Sequence, residues 1–200
     1  MSTSIFELPK DLPRPVDDGA TSHLHGVDFP GLALPATNGA NVDLAAVPGR
    51  LVIYIYPMTG RPDVPLPDGW DSIAGARGCT PQSCSFRDHY SELQSLDISV
   101  FGLSAQTSDY QREARERLHL PFELLSDREL RLKRLLRLPT FTVAGKELYK
   151  RLTLIVENGS IQKVFYPVFP PDQNANEVLT WIRHSAQLGA AGDAPKPARP

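Results

Sequence analysis

Cysteine is scarce in this chain: Cys79 and Cys84 are the only two in 200 residues. Two cysteines cannot build a disulfide scaffold, and cytosolic thiols are normally kept reduced. An excess of either charge is also missing. Lys and Arg number 21 against 23 Asp and Glu, a formal net charge of −2. That balance gives no global field to draw in nucleic acid or an anionic lipid surface, so neither is an expected partner. Long hydrophobic runs are absent as well. The longest, Leu51 to Tyr56, covers six residues, against the roughly 20 that a bilayer-spanning helix needs. Met1 to Pro15 has no basic start followed by an apolar run, so no secretory signal is expected and the expected location is cytoplasmic.

What the chain does have is enough apolar material for a core, at 41% hydrophobic and 22% charged residues. Its 19 prolines crowd at the two ends and between Pro57 and Pro81. Residues 1–26 are polar, proline-bearing and without period, and read as a loose extension. Residues 184–200, rich in small residues and proline, read as a flexible tail. One domain, 27–183, lies between. Leu51 to Tyr56 is β-branched and aromatic without alternation, the pattern of a strand buried on both faces. Residues 60–78 hold three prolines and four glycines and form a long loop of the kind that is usually functional.

Thr80-Pro81 predicts a helix start, with Thr80 as N-cap, running to about Leu96. Ser99 to Ser104 is a second buried strand, and Ser108 caps a polar helix over 108–118. Phe122 to Leu125 is a short strand, followed by a helix capped by Ser126-Asp127 and ending near Leu136. Asn158-Gly159 between 151–157 and 160–167 is a strong hairpin signal, and a last helix runs from about Asn174 to Arg183. This order is α/β, with a central mixed β-sheet flanked by helices in the layout of a thioredoxin-like fold.

The chemistry concentrates in Gly78-Cys79-Thr80-Pro81-Gln82-Ser83-Cys84-Ser85-Phe86-Arg87-Asp88. A helix N-terminus presents unpaired N–H groups and about half a positive charge, which favours a thiolate placed there. Cys79 is at that position. Cys84, five residues on, is displaced about 7.5 Å along the axis and roughly 140° around it. A disulfide needs Cα atoms closer than about 7 Å. Either the two never pair, or the first turn unwinds when they do.

Four ordered segments resemble the peroxiredoxins, in particular the Q-type branch, also called bacterioferritin comigratory protein. They are the strand ending at Tyr56-Pro57, the cysteine motif with Phe86-Arg87-Asp88, Phe122 to Asp127, and Lys150 to Val156 before Asn158-Gly159. The resemblance implies that Cys79 is the peroxidatic cysteine, Cys84 the resolving cysteine, and Arg151 the arginine beside the peroxidatic sulfur. It implies reduction of hydrogen peroxide and organic hydroperoxides through a Cys79 sulfenic acid and a Cys79–Cys84 disulfide. It also implies recycling by thioredoxin or a similar dithiol, a monomer, and no metal, haem or flavin. The chain departs from the family at one point. Peroxiredoxins carry Thr or Ser three residues before the peroxidatic cysteine, and that position is Ala76 here. Pro57 is 22 residues upstream of Cys79, as if an insertion had split the motif. Thr59 is the candidate to supply the missing hydroxyl, and Arg77 the candidate for a second cation.

Plainer readings exist for each feature. The plainer alternative for the cysteines is inert core residues, and for Arg151 a surface charge at a strand end; both fit less of the pattern. A zinc site wants a second Cys or His pair, which His23 and His25 do not provide at a matching spacing. His89 reads as a half-buried surface residue. The leucines among Arg128, Arg131, Lys133, Arg134 and Arg137 read as a core-facing stripe beneath a solvated basic face. Two other functions fit less of the pattern. One is a redox-responsive binding module with vestigial peroxidase activity. The other is a general thiol–disulfide oxidoreductase, whose usual Cys-x-x-Cys spacing this chain does not have.

Overall fold

The computed structural model describes residues 8–9 and 11–192, with side chains to 187. In chain order the strands are β1 Ala33–Pro35, β2 Asn41–Asp43, β3 Arg50–Ile55, β4 Ile98–Ser104, β5 Leu124–Ser126, β6 Thr140–Val143, β7 Lys146–Tyr149, β8 Leu152–Glu157 and β9 Ser160–Phe165. The helices are α1 Cys79–Asp88, α2 Tyr90–Ser95, α3 Ser108–Arg117, α4 Arg131–Leu136 and α5 Asn174–Gly192. Five strands form the central sheet in the order β5-β4-β3-β8-β9. β3 pairs parallel with β4 and antiparallel with β8, and β8 turns into β9 through Asn158-Gly159, both at positive φ. The thioredoxin-like arrangement expected from the sequence is what the chain adopts.

β3 explains why the sheet is covered on both sides. Leu51, Ile53 and Ile55 face a core with Leu24, Leu34, Leu132 and Leu136. Val52, Tyr54 and Tyr56 face the opposite core with Phe86 of α1, Leu93 of α2, Ala114 of α3, and Val178 and Leu179 of α5. With alternate side chains entering two cores, neither face can carry polar residues, hence the unbroken apolar run. Gly102 of β4 sits where a Cβ would lie 2.5 Å from Leu124 and 2.7 Å from the Tyr54 ring. A side chain there would displace Tyr54, whose ring stacks on Phe86 at 4.6 Å and so carries α1.

Several boundaries differ from expectation. α1 starts at Cys79, with Gly78 as the preceding cap residue at φ 105, and Pro81 falls third in the helix. Proline is tolerated there because first-turn N–H groups have no intrahelical partner to lose. The expected single helix to Leu96 is interrupted at His89, whose ring Nδ1 lies 2.9 Å from the Ser85 carbonyl oxygen. Thr107, rather than Ser108, caps α3, its hydroxyl accepting from Tyr110 N–H at 3.3 Å. Asp127 does act on α4, its carboxylate accepting from the N–H groups of Arg131 and Leu132, both at 2.8 Å. α5 continues beyond Arg183 to Gly192, and 193–200 lie outside the described residues.

The hairpins β1-β2 and β6-β7 have no counterpart in the sequence reading. β6 and β7 turn through Ala144-Gly145, both at positive φ, without the Asn-Gly or Asp-Gly pair that announces such a turn. The stretch read as a loose extension makes specific contacts before residue 27. Leu24 is fully buried, and Asp18 accepts hydrogen bonds from Lys150 Nζ at 2.7 Å and Tyr166 Oη at 2.8 Å. Gly26 and Phe29 donate to Ile161 and Gly159, so this segment covers the β9 edge of the sheet.

Candidate active site

Cys79 opens α1 and is buried, 3% exposed. Its position follows from Gly78, whose left-handed backbone turns the chain into the helix against Pro171 and Leu8. A Cβ at Gly78 would come within 2.3 Å of Pro171 Cγ, so the turn requires glycine twice over, by conformation and by space. Sγ of Cys79 lies 3.1 Å from Nη2 of Arg151 and 3.7 Å from the carbonyl oxygen of Ala76. Arg151 immediately precedes β8 and is itself 3% exposed, not a surface charge. The antiparallel register of β8 on β3, which sets Leu152 opposite Ile55, brings it to the C-terminal end of β3, where the long loop begins.

The guanidinium is fixed from several sides. Nη2 also donates to the carbonyl oxygens of Ala76 and Arg77, each at 3.1 Å, and Nη1 donates to Gln82 Oε1. Gln82 in turn donates to Asn174 Oδ1 at 2.9 Å, which accepts from the Thr153 hydroxyl at 2.7 Å. Gln82 and Asn174 are fully buried. This relay from β8 through the start of α5 to α1 sets the planar fork toward sulfur and away from other rotamers. Gln82 had a signal in sequence, since three residues after Cys79 puts it on the same helical face. Asn174 had none.

Thr59 does not reach the place vacated at Ala76. Its hydroxyl donates to Gln106 Oε1 at 3.1 Å and its N–H to the same oxygen at 2.9 Å, while Gln106 Nε2 donates to the Thr59 carbonyl at 3.2 Å. Among the described residues the polar contacts of the Cys79 sulfur are Arg151 and the Ala76 carbonyl. Arg77 does come to the site. With Met58, Gly60, Leu66, Trp70, Gly78, Cys79 and Thr80 it lines a small cleft, and its Nη1 pairs with Asp71 at 3.1 Å. Trp70 belongs to a 3-10 turn, Trp70–Ser72, inside the long loop, so the loop forms a wall of the cleft.

Cys84 lies five residues on in the same helix, half-buried, and both cysteines are free thiols. Burial pushes the Cys84 thiol above its ordinary value, and the nearby Arg87 guanidinium offsets part of that rise. Arg87 is held by Asp88 and by the Leu118 carbonyl. Tyr54 and Tyr56, beneath the cysteines, are pushed well up by burial and stay protonated. Tyr54 Oη donates to Ser83 Oγ at 3.2 Å. The remaining candidates are elsewhere. His23 Nε2 is 2.9 Å from the Leu136 carbonyl oxygen, and in α4 Leu132 and Leu136 are buried while Lys133 pairs with Glu147. No grouping of three or more His, Cys, Asp or Glu suited to a metal occurs among the described residues, and none of their helices is long and apolar enough to cross a membrane.

The chain is similar to known proteins over most of its length. The redoxin family matches residues 24–179. A chloroplastic peroxiredoxin Q from Gentiana triflora is 27% identical over 188 residues, covering 90% of this chain and 78% of that one. Two solved structures share the fold. One is the peroxidoxin BcpB of Mycobacterium tuberculosis, with a TM-score of 0.67 at 23% identity over 81% of this chain and 98% of that one. The other is the bacterioferritin comigratory protein of Xanthomonas campestris, with a TM-score of 0.63 at 20% identity over 88% and 99%. With the match to the redoxin family spanning most of its length and a cysteine at the head of α1 facing a buried arginine, the chain belongs to that family as a Q-type peroxiredoxin, a thiol-dependent peroxidase.

Proposed function

We propose that Cys79 is the peroxidatic cysteine, Cys84 the resolving cysteine, and Arg151 the group that stabilises charge on both the thiolate and the leaving oxygen. The observation that carries this is the 3.1 Å contact of Arg151 Nη2 with Cys79 Sγ at the first residue of α1. The helix N-terminus and the guanidinium both favour the thiolate over the thiol. The thiolate attacks the distal oxygen of ROOH, an S–O bond forms as O–O breaks, and RO⁻ leaves and takes a proton to give ROH. Sulfur is oxidised by two electrons to the sulfenic acid. A guanidinium already oriented by Gln82 meets the charge growing on the departing oxygen without reorganising.

Resolution requires α1 to change. While both cysteines are helical, their separation along the axis exceeds disulfide reach. Unwinding the first turn lets the Cys84 thiolate attack the Cys79 sulfur, with an S–S bond forming and hydroxide leaving to become water. A dithiol reductant of the thioredoxin class then reopens the bridge by exchange. The substrates are hydrogen peroxide and organic hydroperoxides; alkyl peroxide reduction by the Xanthomonas relative supports the second group. The reading is of a monomer in the cytoplasm, without metal, haem or flavin.

The experiment mixes reduced protein with one equivalent of hydrogen peroxide in a stopped-flow instrument, with mass spectrometry of the product. The wild type should lose two hydrogens and carry a Cys79–Cys84 bridge. Cys84→Ser should complete one fast oxidation and stop at the sulfenic acid. Fast peroxide consumption by Cys79→Ser would overturn the assignment. Oxidation of the wild type only at the rate of an ordinary exposed thiol would instead favour a redox-responsive binding module, the reading to which the missing hydroxyl at Ala76 points.

A further inference from the structure

The loop that splits the cysteine motif bounds two adjoining clefts, an open apolar groove of about 520 Å³ and the small one that holds Cys79. The small cleft measures about 20 Å³, room for little more than one water-sized group. A molecule that reaches the Cys79 sulfur there meets the walls as well. Ala76 is not one of those walls. It is fully buried in a small core under the loop, with Trp70, Val143 and Leu148. The hydroxyl expected three residues before the cysteine is therefore missing from the cleft, and Thr59 is engaged with Gln106 instead.

Other donors do line the cleft, on Arg77, Thr80 and Trp70. Arg77 is committed to Asp71 at 3.1 Å. The Thr80 hydroxyl and the Trp70 indole N–H have no hydrogen-bond partner among the described residues. Both residues are 3% exposed, yet neither polar atom is among those sealed from solvent. A hydroxyl rotates, and donates or accepts as a neighbouring water requires. An indole N–H only donates, in a direction that the ring sets. A buried tryptophan normally gives that hydrogen an acceptor, so an unpaired one on a wall of the thiol cleft points to an acceptor that arrives with the substrate.

The ring is held where it is. It packs on Phe141 with centroids 6.2 Å apart. Successive turns tie its backbone to the residues before Cys79: Trp70 N–H donates to the Pro67 carbonyl, Ile73 N–H to that of Trp70, and Ala76 N–H to that of Ile73, at 3.0, 3.2 and 3.1 Å. The pair of Asp71 with Arg77 closes the same stretch.

We propose that Trp70 is a catalytic residue, its Nε1–H donating to an oxygen of the bound hydroperoxide in place of the hydroxyl absent at Ala76. This rests on the peroxidase reading of Cys79. The hydrogen bond orients the O–O bond against the thiolate and strengthens as charge gathers on the departing oxygen. The indole keeps its hydrogen throughout. S–O forms, O–O breaks, and RO⁻ takes a proton from solvent to give ROH.

The test uses full-length protein in a Cys84→Ser background, so that Cys79 is the one thiol. Trp70→Phe is compared with a protein carrying benzothienylalanine at position 70, which keeps the bicyclic shape and puts sulfur where the N–H was. Rates toward hydrogen peroxide are set beside rates toward iodoacetamide, which also consumes the thiolate but brings no peroxide oxygen. Both substitutions should slow the peroxide reaction by about tenfold to a hundredfold, somewhat less than the loss of an oxyanion donor because the indole is neutral. Alkylation and the thiolate titration of Cys79 should stay within about twofold of the parent, since the contact is made only with the peroxide. Full peroxide reactivity in the benzothienylalanine protein would overturn the proposal. So would an equal fall in alkylation, which would show that Trp70 shapes the cleft without touching the oxygen. If Trp70→Phe melts early, the isosteric protein decides alone. A parent protein that meets peroxide no faster than an exposed thiol would end the peroxidase reading and the donor role with it, whereas a fast parent with indifferent variants removes Trp70 only.

Discussion

Replacing Arg151 with alanine removes more than one interaction, and the structure lets the consequences be separated. Nη2 serves the Cys79 sulfur and two carbonyls, and Nη1 serves Gln82. Loss of a donor that meets developing charge in an enclosed site costs about 2.7–4 kcal/mol, or roughly 10²–10³ in rate. The variant also strands the carbonyls of Ala76 and Arg77 and Oε1 of Gln82, and each buried acceptor left without a donor costs about 1–3 kcal/mol until water replaces it. Part of any loss could therefore come from a loosened first turn. Arg151→Lys distinguishes the two causes. It keeps the charge, but an ammonium cannot span sulfur, two carbonyls and Gln82 as the planar fork does. The expected order is wild type, then lysine, then alanine, with the alanine variant slower by about 10²–10³ toward hydrogen peroxide at neutral pH. The assay is stopped-flow tryptophan fluorescence over a peroxide series, with thermal melts run in parallel. A folded Arg151→Ala protein reacting within about threefold of wild type, well under the loss one such donor carries, would refute the electrostatic role.

Three further outcomes follow from the same geometry. Gly78→Ala places a Cβ 2.3 Å from Pro171 Cγ at φ 105, and should lower stability by about 1–3 kcal/mol in a denaturant titration; an unchanged midpoint would show that the turn relaxes freely. Because burial raises the Cys84 thiol, the closing step in a sulfenic acid trapped before resolution should quicken by about tenfold per pH unit across the neutral range, and a flat profile would mean that unwinding alone sets its rate. Hydrogen bonds from Lys150 and Tyr166 hold the Asp18 carboxyl down at about 2. Since its folded value lies below its unfolded one, the clasp stabilises above about pH 4 and is lost as pH falls toward 2, so the melting difference between wild type and Asp18→Asn should shrink over that interval. A difference constant through that range would exclude Asp18 as the titrating group.

The central sheet was legible because its signals are local. β3 is an unbroken apolar run, and Asn158-Gly159 names its own turn. The reactive centre was partly legible for the same reason, since Cys79, Cys84 and Gln82 share one helix. Arg151 was readable only through a resemblance, because 72 residues separate it from Cys79 and the register of β8 on β3 brings them together. Asn174 and Gln106 left no local pattern, as their partners come from other elements. Thr59 shows the opposite hazard. Proximity in sequence to Pro57 suggested a role at sulfur, and competition from Gln106 for its hydroxyl decided otherwise. The split motif pointed to the loop 60–78, yet its prolines and glycines could not show that it folds into two adjoining clefts.

The contacts ahead of Cys79 couple the thiol chemistry to a distant part of the chain. Unwinding the first turn of α1 must move Gly78, which is packed against Pro171 and Leu8, while Gly75 just before it borders Pro15. Arg14 lies over the Phe169 ring and Asp18 grips Lys150, the neighbour of Arg151. If α1 unwinds to close the proposed disulfide, whatever these contacts contribute to the reduced form opposes that closure, and by reciprocity closure loosens them by the same amount. On the proposed Cys79–Cys84 cycle, the described residues before 27 would report the cysteine oxidation state. A protease or antibody that grips them when released would draw the equilibrium toward the bridged form without touching either sulfur.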